Sequence, residues 1–393
     1  MNNQPNDSLH FAEYVSPGHP DRLADAIAEK IVRLGMEAGD RSLVGVEVAT
    51  HEEQVFIDGR FAVPRNPGQD KPGTRQMEAI RECIGNCARE AFREAGYGES
   101  WSPAPANLRI TNVACIETLQ EGEDEIRTIS DDQNIVIGYA DPSAGTNHLP
   151  AAHFLANRIG RAVLRWRSGH SGTYGPDFKV LPQLRRVNGK NGDSWEWERL
   201  TLSLQHKPGT FYEQQHNDLL PFLHETLEEL EASTGLRGTG STFEPAKLHL
   251  NGAGDFCQGG PEGDNGLSGK KLVVDHYGPD VPIGGGALCG KDPHKVDRAG
   301  ALRARQLARQ LAVTHGLPAR ARLGWSPGEA EPFLVEAALL DKNSWQAVPR
   351  KKLPPGDWFA IETIFRALDL RSQDWSRIIL NGFFTDPGHP WEN

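Results

Sequence analysis

Apolar residues recur along the chain at two spacings, one typical of helices and one typical of strands. Positions 23, 27, 31 and 34 share one face of a helix, and Pro20 suits its first turn. Short alternating or continuous apolar runs indicate strands between such helices. The pattern predicts helices over 20–34, 77–92, 149–166, 212–231, 295–315 and 357–368. It predicts strands over 42–49, 54–57, 108–116, 135–139, 179–185, 196–205, 247–250, 321–325 and 333–338.

The order of these elements repeats in three rounds of hairpins and helices. Such an order favours three α+β domains of similar plan over one parallel βαβ sheet. We place the domains at residues 8–125, 126–252 and 253–393, with interleaving at their ends. The run NGKNGD at 188–193 carries the turn signal of a hairpin. The acidic stretch 120–132 is expected to form a mobile loop or linker.

The charge balance narrows the kinds of partner that the protein can have. With 53 acidic and 42 basic side chains, the chain has a net charge of −11. This argues against a surface that binds nucleic acid or anionic lipid as a whole, so a polyanion must meet a local basic cluster. The lack of a secretory leader pattern and of an apolar run near ~18 residues predicts a cytosolic protein without a membrane partner. The five cysteines favour free thiols over a disulfide framework.

The segment from 259 to 297 carries the strongest chemical signal. Its two blocks, GGPEGDNGLSGKK and GGGALCGKDPHKVDR, place glycines beside lysines and aspartates. Glycine lets backbone amides approach an anion closely, and lysine supplies charge where a polyphosphate would lie. Residues 285–291 match the G-x-x-x-x-G-K half of a P-loop, but Asp292 replaces the Ser or Thr that would hold Mg²⁺. The blocks therefore predict a phosphate-binding site that is not a P-loop.

A second candidate lies in the run SPGHPDR at 16–22, where the first predicted helix begins. Free backbone amides and the positive end of the helix dipole favour anions there. His19 can donate to a developing negative charge, and Asp21 can bring a Mg²⁺ that bridges phosphate oxygens. The alternative is an ordinary helix start with a capping role.

Seven motifs occur in one order along the chain. They are GHPDR near the N-terminus, GYADPS at 138–143, PDFK at 176–179, SLQH at 203–206, the two glycine-rich blocks and HPWE at 389–392. In this order they resemble the methionine adenosyltransferase (S-adenosylmethionine synthetase) family over nearly the whole chain. The glycine-rich blocks are long and highly specific, whereas the stretches between motifs are only loosely similar. The chain is therefore identified as a divergent member of this family.

The resemblance implies a fold, an assembly and a reaction. The fold is three α+β domains related by pseudo-threefold symmetry, with mixed sheets and helices on one face. The assembly is a dimer, often paired into a tetramer, whose active sites lie between subunits. The reaction is attack of the methionine sulfur on C5′ of ATP, which expels triphosphate that is then hydrolysed to pyrophosphate and phosphate. The family uses Mg²⁺, with two ions expected per site, and K⁺ commonly stimulates it.

The matching positions imply a set of site residues, in which His19 would stabilise the leaving triphosphate. The implied residues around the polyphosphate are His19, Lys179, Lys270, Lys271, Lys291 and Lys295. Those implied at the adenosine and the rest of the ATP are Asp177, Phe256, Asp264 and Ala287, and those at methionine are Gln120, Asp264 and Lys295. Those implied at metals are Asp21 and Asp297 for Mg²⁺, Glu47 for K⁺, and Glu13 close to the metal site.

Three positions depart from the family's pattern. Arg60 stands where the family has a glutamate that contacts the methionine ammonium. Either the alignment slips and Glu52 or Glu53 substitutes, or the amino acid is held differently. The loop expected over the site reads QEGEDEI at 120–126, which is longer and more acidic than the family's QSPDI-like run. Asp255 replaces an arginine often found there, which removes a positive charge near the nucleotide and predicts slow turnover with methionine.

Three functional hypotheses follow. The first is a methionine adenosyltransferase. The second is a related enzyme that uses another thioether or acts mainly as a triphosphatase, which Arg60 and the acidic loop motivate. The third is a non-catalytic subunit that partners a true synthetase. The retained lysines argue against the third, because clustered like charges cost stability when no polyanion binds.

Overall fold

The computed structural model describes residues 8–65, 74–187 and 193–393. The predicted NGKNGD turn falls outside these ranges, apart from its last residue. The strands are β1 (Leu9–Phe11), β2 (Tyr14–Val15), β3 (Leu43–His51), β4 (Gln54–Val63), β5 (Arg109–Asn112), β6 (Cys115–Thr118), β7 (Asn134–Ala140), β8 (Tyr174–Val187), β9 (Ser194–His206), β10 (Leu248–Leu250), β11 (Gly266–Leu267), β12 (Ala319–Trp325), β13 (Leu334–Asp341) and β14 (Ser344–Ala347). The helices are α1 (Pro20–Ala38), α2 (Thr74–Ala95), α3 (Ala151–Ser168), α4 (Tyr212–Thr234), α5 (Leu272–Asp275), α6 (Val296–His315), α7 (Ile361–Ala367) and α8 (Trp375–Asn381).

One plan is used three times along the chain. A helix is followed by an antiparallel hairpin and then by a second helix, as α1–β3–β4–α2, α3–β8–β9–α4 and α6–β12–β13–α7. In each round the first helix packs on the sheet that contains the hairpin, α1 on β3, α3 on β8 and α6 on β12. The predicted α+β class, with three units of similar plan, is confirmed.

The three units exchange strands in a cycle. The strands that precede α1 pair with β8 of the second unit, the strand that precedes α3 pairs with β12 of the third, and β11, before α6, pairs with β3 of the first. A cyclic exchange of this kind fits a pseudo-threefold arrangement. Each sheet therefore draws strands from two of the predicted segments, and the domain boundaries at 125/126 and 252/253 stay a prediction.

The sheets differ in strand direction. In the first sheet β10 runs parallel to β9, and in the second both β5 and β6 run parallel to β4, while β14–β13–β12–β7 is antiparallel throughout. The single strand predicted over 108–116 is wrong, because two short strands form there. Between them the Asn112 side chain accepts a hydrogen bond from the Ala114 N–H at 3.0 Å, which interrupts the ladder. The helix predicted over 357–368 is likewise split into a 3-10 turn (Gly356–Phe359) and α7.

Two apolar cores hold these layers together. One joins the first and third units, and a second lies inside the middle unit. Helix α1 is buried on every side over most of its length, although its sequence is amphipathic. All five cysteines are free, as predicted. None of the helices in the described ranges is long and apolar enough to cross a membrane.

The C-terminal HPWE motif anchors the chain end in the large core. Trp391 and Glu392 are fully buried, and the Glu392 carboxylate accepts two hydrogen bonds from Arg305, at 2.9 and 2.8 Å. Arg309 lies 3.4 Å from the same carboxylate. This pair fixes α6, which begins at the glycine-rich segment.

Replacing Glu392 by alanine should therefore leave a buried guanidinium without its counter-charge. We expect a loss of about 3 kcal/mol in unfolding free energy, seen as a lower Tm in scanning calorimetry. The matched control is Glu362→Ala, which removes the half-buried partner of the exposed Arg366 side chain and should cost about 0.5 kcal/mol or less. Equal Tm shifts in the two variants would contradict a structural role for the buried pair.

Candidate active site

The SPGHPDR segment is docked on the PDFK strand, β8. The Ser16 hydroxyl donates to the Pro176 carbonyl at 2.8 Å and accepts from the Phe178 N–H at 2.9 Å, and Val15 of β2 pairs with Lys179. A Cβ on Gly18 would lie 2.4 Å from the Pro176 oxygen, so only glycine allows this approach. Two motifs about 160 positions apart in the chain thus meet at the start of α1.

His19 is the N-cap of α1 and is 2% exposed. Its Nδ1 accepts a hydrogen bond from the Asp21 N–H at 3.1 Å, so the ring proton belongs on Nε2. Burial, together with the positive charges of Lys179 and Lys271, lowers the pKa of His19 to about 3. The imidazole is therefore a neutral group with one N–H to donate.

Asp21 lies in the first turn of α1 and is 1% exposed. Its Oδ2 atom lies 2.7 Å from Lys271 Nζ. Its Oδ1 atom lies 3.4 Å from Lys270 Nζ and accepts a hydrogen bond from the Leu267 N–H at 3.0 Å. Burial by itself would raise the pKa of Asp21, but the hydrogen bonds from Lys271 and Leu267 outweigh it, and the pKa is lowered. The carboxylate is ionised and in contact with two lysines.

Asp177 on β8 completes this arrangement. One carboxylate oxygen accepts from the Gly260 N–H at 2.7 Å, while the other is buried without a hydrogen-bond partner in the described part of the chain. Burial raises the pKa of Asp177 to about 6. The Phe256 ring lies against Gly259, where a Cβ would approach it to 2.9 Å. We call His19, Asp21, Asp177, Lys179, Lys270 and Lys271 the first group.

A second set of charged residues lines a cleft of about 510 Å³. Lys291 Nζ lies 2.6 Å from the Asp297 carboxylate, and Lys295 pairs with Asp131. Gly286 lies against this pair, since a Cβ there would come within 1.6 Å of an Asp297 oxygen. We call Glu47, Ala287, Lys291, Lys295 and Asp297 the second group, and all five line the cleft.

Helix α1 holds the glycine-rich blocks through a row of carboxylates. Asp21, Asp25 and Glu29 follow one another at intervals of four residues and accept backbone N–H bonds from Leu267, Gly269 and Gly290 at 3.0, 2.8 and 2.9 Å. Sequence reasoning missed Asp25 and Glu29 because the helical pattern puts them opposite the apolar face, where solvent is expected. The signal was available as three acidic residues at intervals of four along one predicted helix.

The structure thus places most of the predicted residues in two groups. Among the described residues no ion pair joins the groups, because each of Lys270, Lys271, Lys291 and Lys295 pairs within its own neighbourhood. The groups adjoin at Gly269, whose Cβ would lie 2.9 Å from that of Ala287. They are neighbouring surfaces rather than one closed pocket.

Three predicted residues are less well connected. Asp264 is exposed and acts on Asp177 only through its charge. Gln120 is exposed, and its N–H donates to Glu123 at 2.6 Å. The side chain of Glu13, between β1 and β2, makes no hydrogen bond or ion pair within the described ranges. Their predicted roles at the ligand stay predictions.

The acidic segment after β6, expected to be a mobile loop or linker, makes several charged contacts, and its mobility stays a prediction. Arg60 donates to Glu117 at 2.7 Å and, through two nitrogens, to both oxygens of Glu123 at 2.7 and 2.8 Å. Arg127 further along pairs with buried Asp292. The hydrogen bonds that Arg60 donates to Glu123 and Glu117 raise the pKa of Arg60 and lower the pKa of Glu123. Arg60 and the acidic loop, which depart separately from the family's pattern, therefore compensate each other.

The donor set of the two groups fits Mg²⁺ that is shared with phosphate. Mg²⁺ prefers oxygen ligands and commonly takes one or two carboxylates together with substrate phosphates. Asp21 and Asp297 each offer a carboxylate beside lysines, at different glycine-rich blocks. In the described residues no three His, Cys, Asp or Glu side chains cluster as a protein-only metal site. The residues present suit an ion that a polyphosphate helps to hold.

The fold and the two groups define a class, a three-unit α+β protein with lysine–aspartate pairs at glycine-rich segments. Sequence profiles described as "S-adenosylmethionine synthetase, N-terminal domain" and "S-adenosylmethionine synthetase, C-terminal domain" match residues 7–121 and 258–393. An S-adenosylmethionine synthase of Methylorubrum extorquens is 30% identical over 407 residues, covering 98% of this chain and 96% of the relative. S-adenosylmethionine synthase 2 of Rhodopseudomonas palustris is 29% identical over similar shares. The chain belongs to the S-adenosylmethionine synthetase family, as the resemblance indicated.

A solved structure shares the fold. An unusual S-adenosylmethionine synthetase from Campylobacter jejuni superposes with a TM-score of 0.77 at 23% identity, covering 98% of this chain and 97% of that one. At this identity the similarity establishes the three-domain fold. The identities near 30% to the synthases agree with a divergent member.

The state of His19 can be tested directly. Because its pKa lies near 3 and that of an unfolded histidine near 6.5, the folded ring should not take up a proton as the pH falls from 8 to 5. The unfolded chain binds that proton, so His19 contributes stability above about pH 6.5 that is lost as the pH falls toward 3. In NMR spectra of ¹³C-histidine-labelled protein, the His19 ring signal, assigned with His19→Asn, should stay constant from pH 8 to pH 5. A midpoint near pH 6.5 would contradict the burial argument.

The anchoring of the acidic segment generates a second prediction. Arg60→Gln removes the charged contacts to Glu117 and Glu123, so amide hydrogen exchange at 119–128 should become faster by about tenfold or more. The matched control is Arg33→Gln, which breaks an exposed pair with Glu37 on α1 and should leave exchange at 119–128 unchanged. Unchanged exchange in both variants would mean that Arg60 does not hold the segment.

Proposed function

We propose that this chain is an ATP:L-methionine S-adenosyltransferase that forms S-adenosylmethionine and hydrolyses the expelled triphosphate to pyrophosphate and phosphate. The observation that carries the proposal is His19, a buried neutral imidazole at the start of a helix, with one N–H to donate beside lysines. Membership of the synthetase family supports the same reaction.

In this reaction the methionine sulfur donates an electron pair to C5′ of ATP while the C5′–O bond breaks. The electron pair of that bond stays on the triphosphate oxygen, where negative charge grows. A fixed N–H donor at that oxygen stabilises the transition state more than the ground state. A ring with a pKa near 3 is a neutral donor that keeps its proton, so His19 acts by hydrogen bonding rather than by acid catalysis.

The remaining site residues are assigned by the charge of the ligand. We propose that Lys179, Lys270, Lys271, Lys291 and Lys295 surround the polyphosphate, whose charge demands several cations. The unpartnered oxygen of Asp177 and the ring of Phe256 would hold the adenosine, with Ala287 and Asp264 beside the ATP. Gln120, Asp264 and Lys295 would contact methionine.

Metal ions complete the proposed site. Asp21 and Asp297 would hold Mg²⁺, two ions per site, with Glu13 nearby, and Glu47 would hold K⁺. When bound, Mg²⁺ would neutralise negative charge on the phosphates. The ionised, buried carboxylate of Asp21 beside two lysines supports this assignment, because it provides an oxygen ligand where a polyanion would lie.

We further propose that the protein self-associates as a dimer or tetramer in which the first group of one copy faces the second group of another. The separate pairing of lysines in the two groups supports this arrangement. An apolar row also crosses the outer face of the second sheet, where Leu267, Ala49 and Phe56 are neighbours on three strands. Leu267 and Phe56 are each 44% exposed, and such patches favour association.

An alternative is an enzyme that acts mainly as a triphosphatase or on another thioether, which Arg60 and the acidic loop motivate. The contacts of Arg60 with Glu117 and Glu123 weaken that motive, because its charge is already compensated. An assay of reaction products separates the alternatives, since a triphosphatase releases phosphate without S-adenosylmethionine. A non-catalytic partner subunit would give neither product.

The decisive assay incubates the purified protein with ATP, methionine, Mg²⁺ and K⁺ and measures products by mass spectrometry. S-adenosylmethionine, pyrophosphate and phosphate should form together, and chelation of Mg²⁺ should stop the reaction. His19→Ala removes the donor at the leaving oxygen and should lower kcat by about 10²-fold or more.

The matched control for this variant is His315→Ala, which changes an exposed histidine in the last turn of α6 and should leave kcat unchanged. Phosphate release from tripolyphosphate without S-adenosylmethionine would support the alternative. Full activity of His19→Ala would refute the proposed role of the imidazole.

A further inference from the structure

Arg60 does not present a free charge to an amino-acid substrate. Its Nε, Nη1 and Nη2 atoms all donate to carboxylates of Glu117 and Glu123, and its side chain is only 29% exposed. It is absent from the residues that line the cleft of the second group. The repulsion expected between Arg60 and a substrate ammonium is therefore removed by the acidic segment.

Asp58, two residues earlier on β4, does line the cleft. It pairs in register with Glu47 of β3, so the two carboxylates lie side by side on one face of the sheet, with Cβ atoms about 5 Å apart. Asp58 accepts only the N–H of Gly59, at 2.7 Å, and no cation of the described residues pairs with either carboxylate. Like charges at such positions are unfavourable, and a bound cation relieves the repulsion.

The same cleft contains a positive group for the other end of an amino acid. Lys295, at the start of α6, lines the cleft together with Asp58 and Ala287. Although Lys295 also pairs with Asp131, Asp58 and Lys295 line one cavity of about 510 Å³ with a carboxylate and an ammonium. A zwitterion with an α-ammonium and an α-carboxylate matches this pair of charges.

The other carboxylates considered from the sequence lie elsewhere. Glu52 and Glu53 form the turn between β3 and β4, and Glu53 faces Arg109 at 3.9 Å. At ~3.3 Å per residue, Glu53 lies about 23 Å along the strand from Arg60. A slip of the alignment by a residue or two therefore does not bring either glutamate to the cleft.

The geometry points to Asp58 as the residue that receives the α-ammonium group of the amino-acid substrate, a specificity-determining role that Arg60 leaves open. This assignment rests on the proposed methionine adenosyltransferase function. Glu47 next to it stays assigned to the monovalent cation. Asp58 thus supplies, on the same strand and two residues away, the carboxylate that Arg60 replaces at position 60.

The test compares methionine with 4-(methylthio)butanoate, which lacks the ammonium group. Binding of both to the full-length protein is measured by calorimetry with Mg²⁺ and a non-hydrolysable ATP analogue. The wild-type protein should prefer methionine by at least about tenfold, because a charged hydrogen bond is lost with the analogue. In Asp58→Asn, which can still accept the Gly59 N–H, this preference should fall to about twofold or less, with unchanged affinity for the ATP analogue.

Two further variants make the comparison specific. Asp58→Glu keeps the charge and should retain most of the preference for methionine. Glu53→Gln removes a carboxylate at the hairpin turn and should leave the preference unchanged. A preference that survives in Asp58→Asn, or that disappears in Glu53→Gln, would overturn the assignment. A shift only in the K⁺ concentration for half-maximal activity of Asp58→Asn would also overturn it, because Asp58 would then belong to the cation site.

Failure of the proposed function gives a different result. If the wild-type protein forms no S-adenosylmethionine and does not distinguish methionine from its des-amino analogue, the function and this assignment both fail. If the wild-type protein turns methionine over but Asp58→Asn keeps its KM for methionine, only the assignment fails. A KM for methionine raised about tenfold or more, with an unchanged KM for ATP, supports both.

Discussion

Asp21, Asp25 and Glu29 lie one helical turn apart on α1, inside the protein, and each accepts a backbone N–H from a glycine-rich block. Buried carboxylates are costly unless they are paired and hydrogen-bonded. Arg22 and Arg298 provide the counter-charges, the first to Asp25 at 3.1 Å and the second to Glu29. Because each carboxylate bonds both to the backbone and, for Asp25 and Glu29, to an arginine, these contacts fix the helix relative to the glycine-rich backbone. The position of this backbone also sets the position of the lysines that follow the glycines in the sequence.

The same constraint explains the state of His19. Its ring caps α1, beside the strand that Ser16 hydrogen-bonds to, and burial keeps the ring neutral. Preorganised donors of this kind need no rearrangement when charge develops on a bound group. The second group is positioned from the other end of the segment, where Gly290 is held by Glu29 and α6 begins after Lys295. The lysines of the two groups pair separately, which is the reason to expect completion of the site by a second copy.

Much of the fold follows from sequence periodicity, because long helices such as α3, α4 and α6 and the hairpins have strong local patterns. The cyclic exchange of strands could not be predicted, since β2 and β11 have two residues each and are fixed only by distant partners. At the site, the family motifs predicted the lysines and aspartates. They did not reveal that Glu123 neutralises Arg60 or that Asp25 is buried, because both depend on residues far apart in the chain. Polar residues opposite an apolar helix face are expected in solvent, and α1 breaks that rule by being covered on both sides.

We propose that the first and second groups form one active site only when they come from different copies. The most direct measurement co-expresses His19→Asn and Lys291→Met chains with different affinity tags and assays the purified heterodimer. Each parent homodimer should be nearly inactive. In the heterodimer one site carries both substitutions and the other carries none, so about half of the wild-type S-adenosylmethionine synthesis per dimer should return. A heterodimer as inactive as its parents would contradict the account, because both groups would then serve a site within one chain.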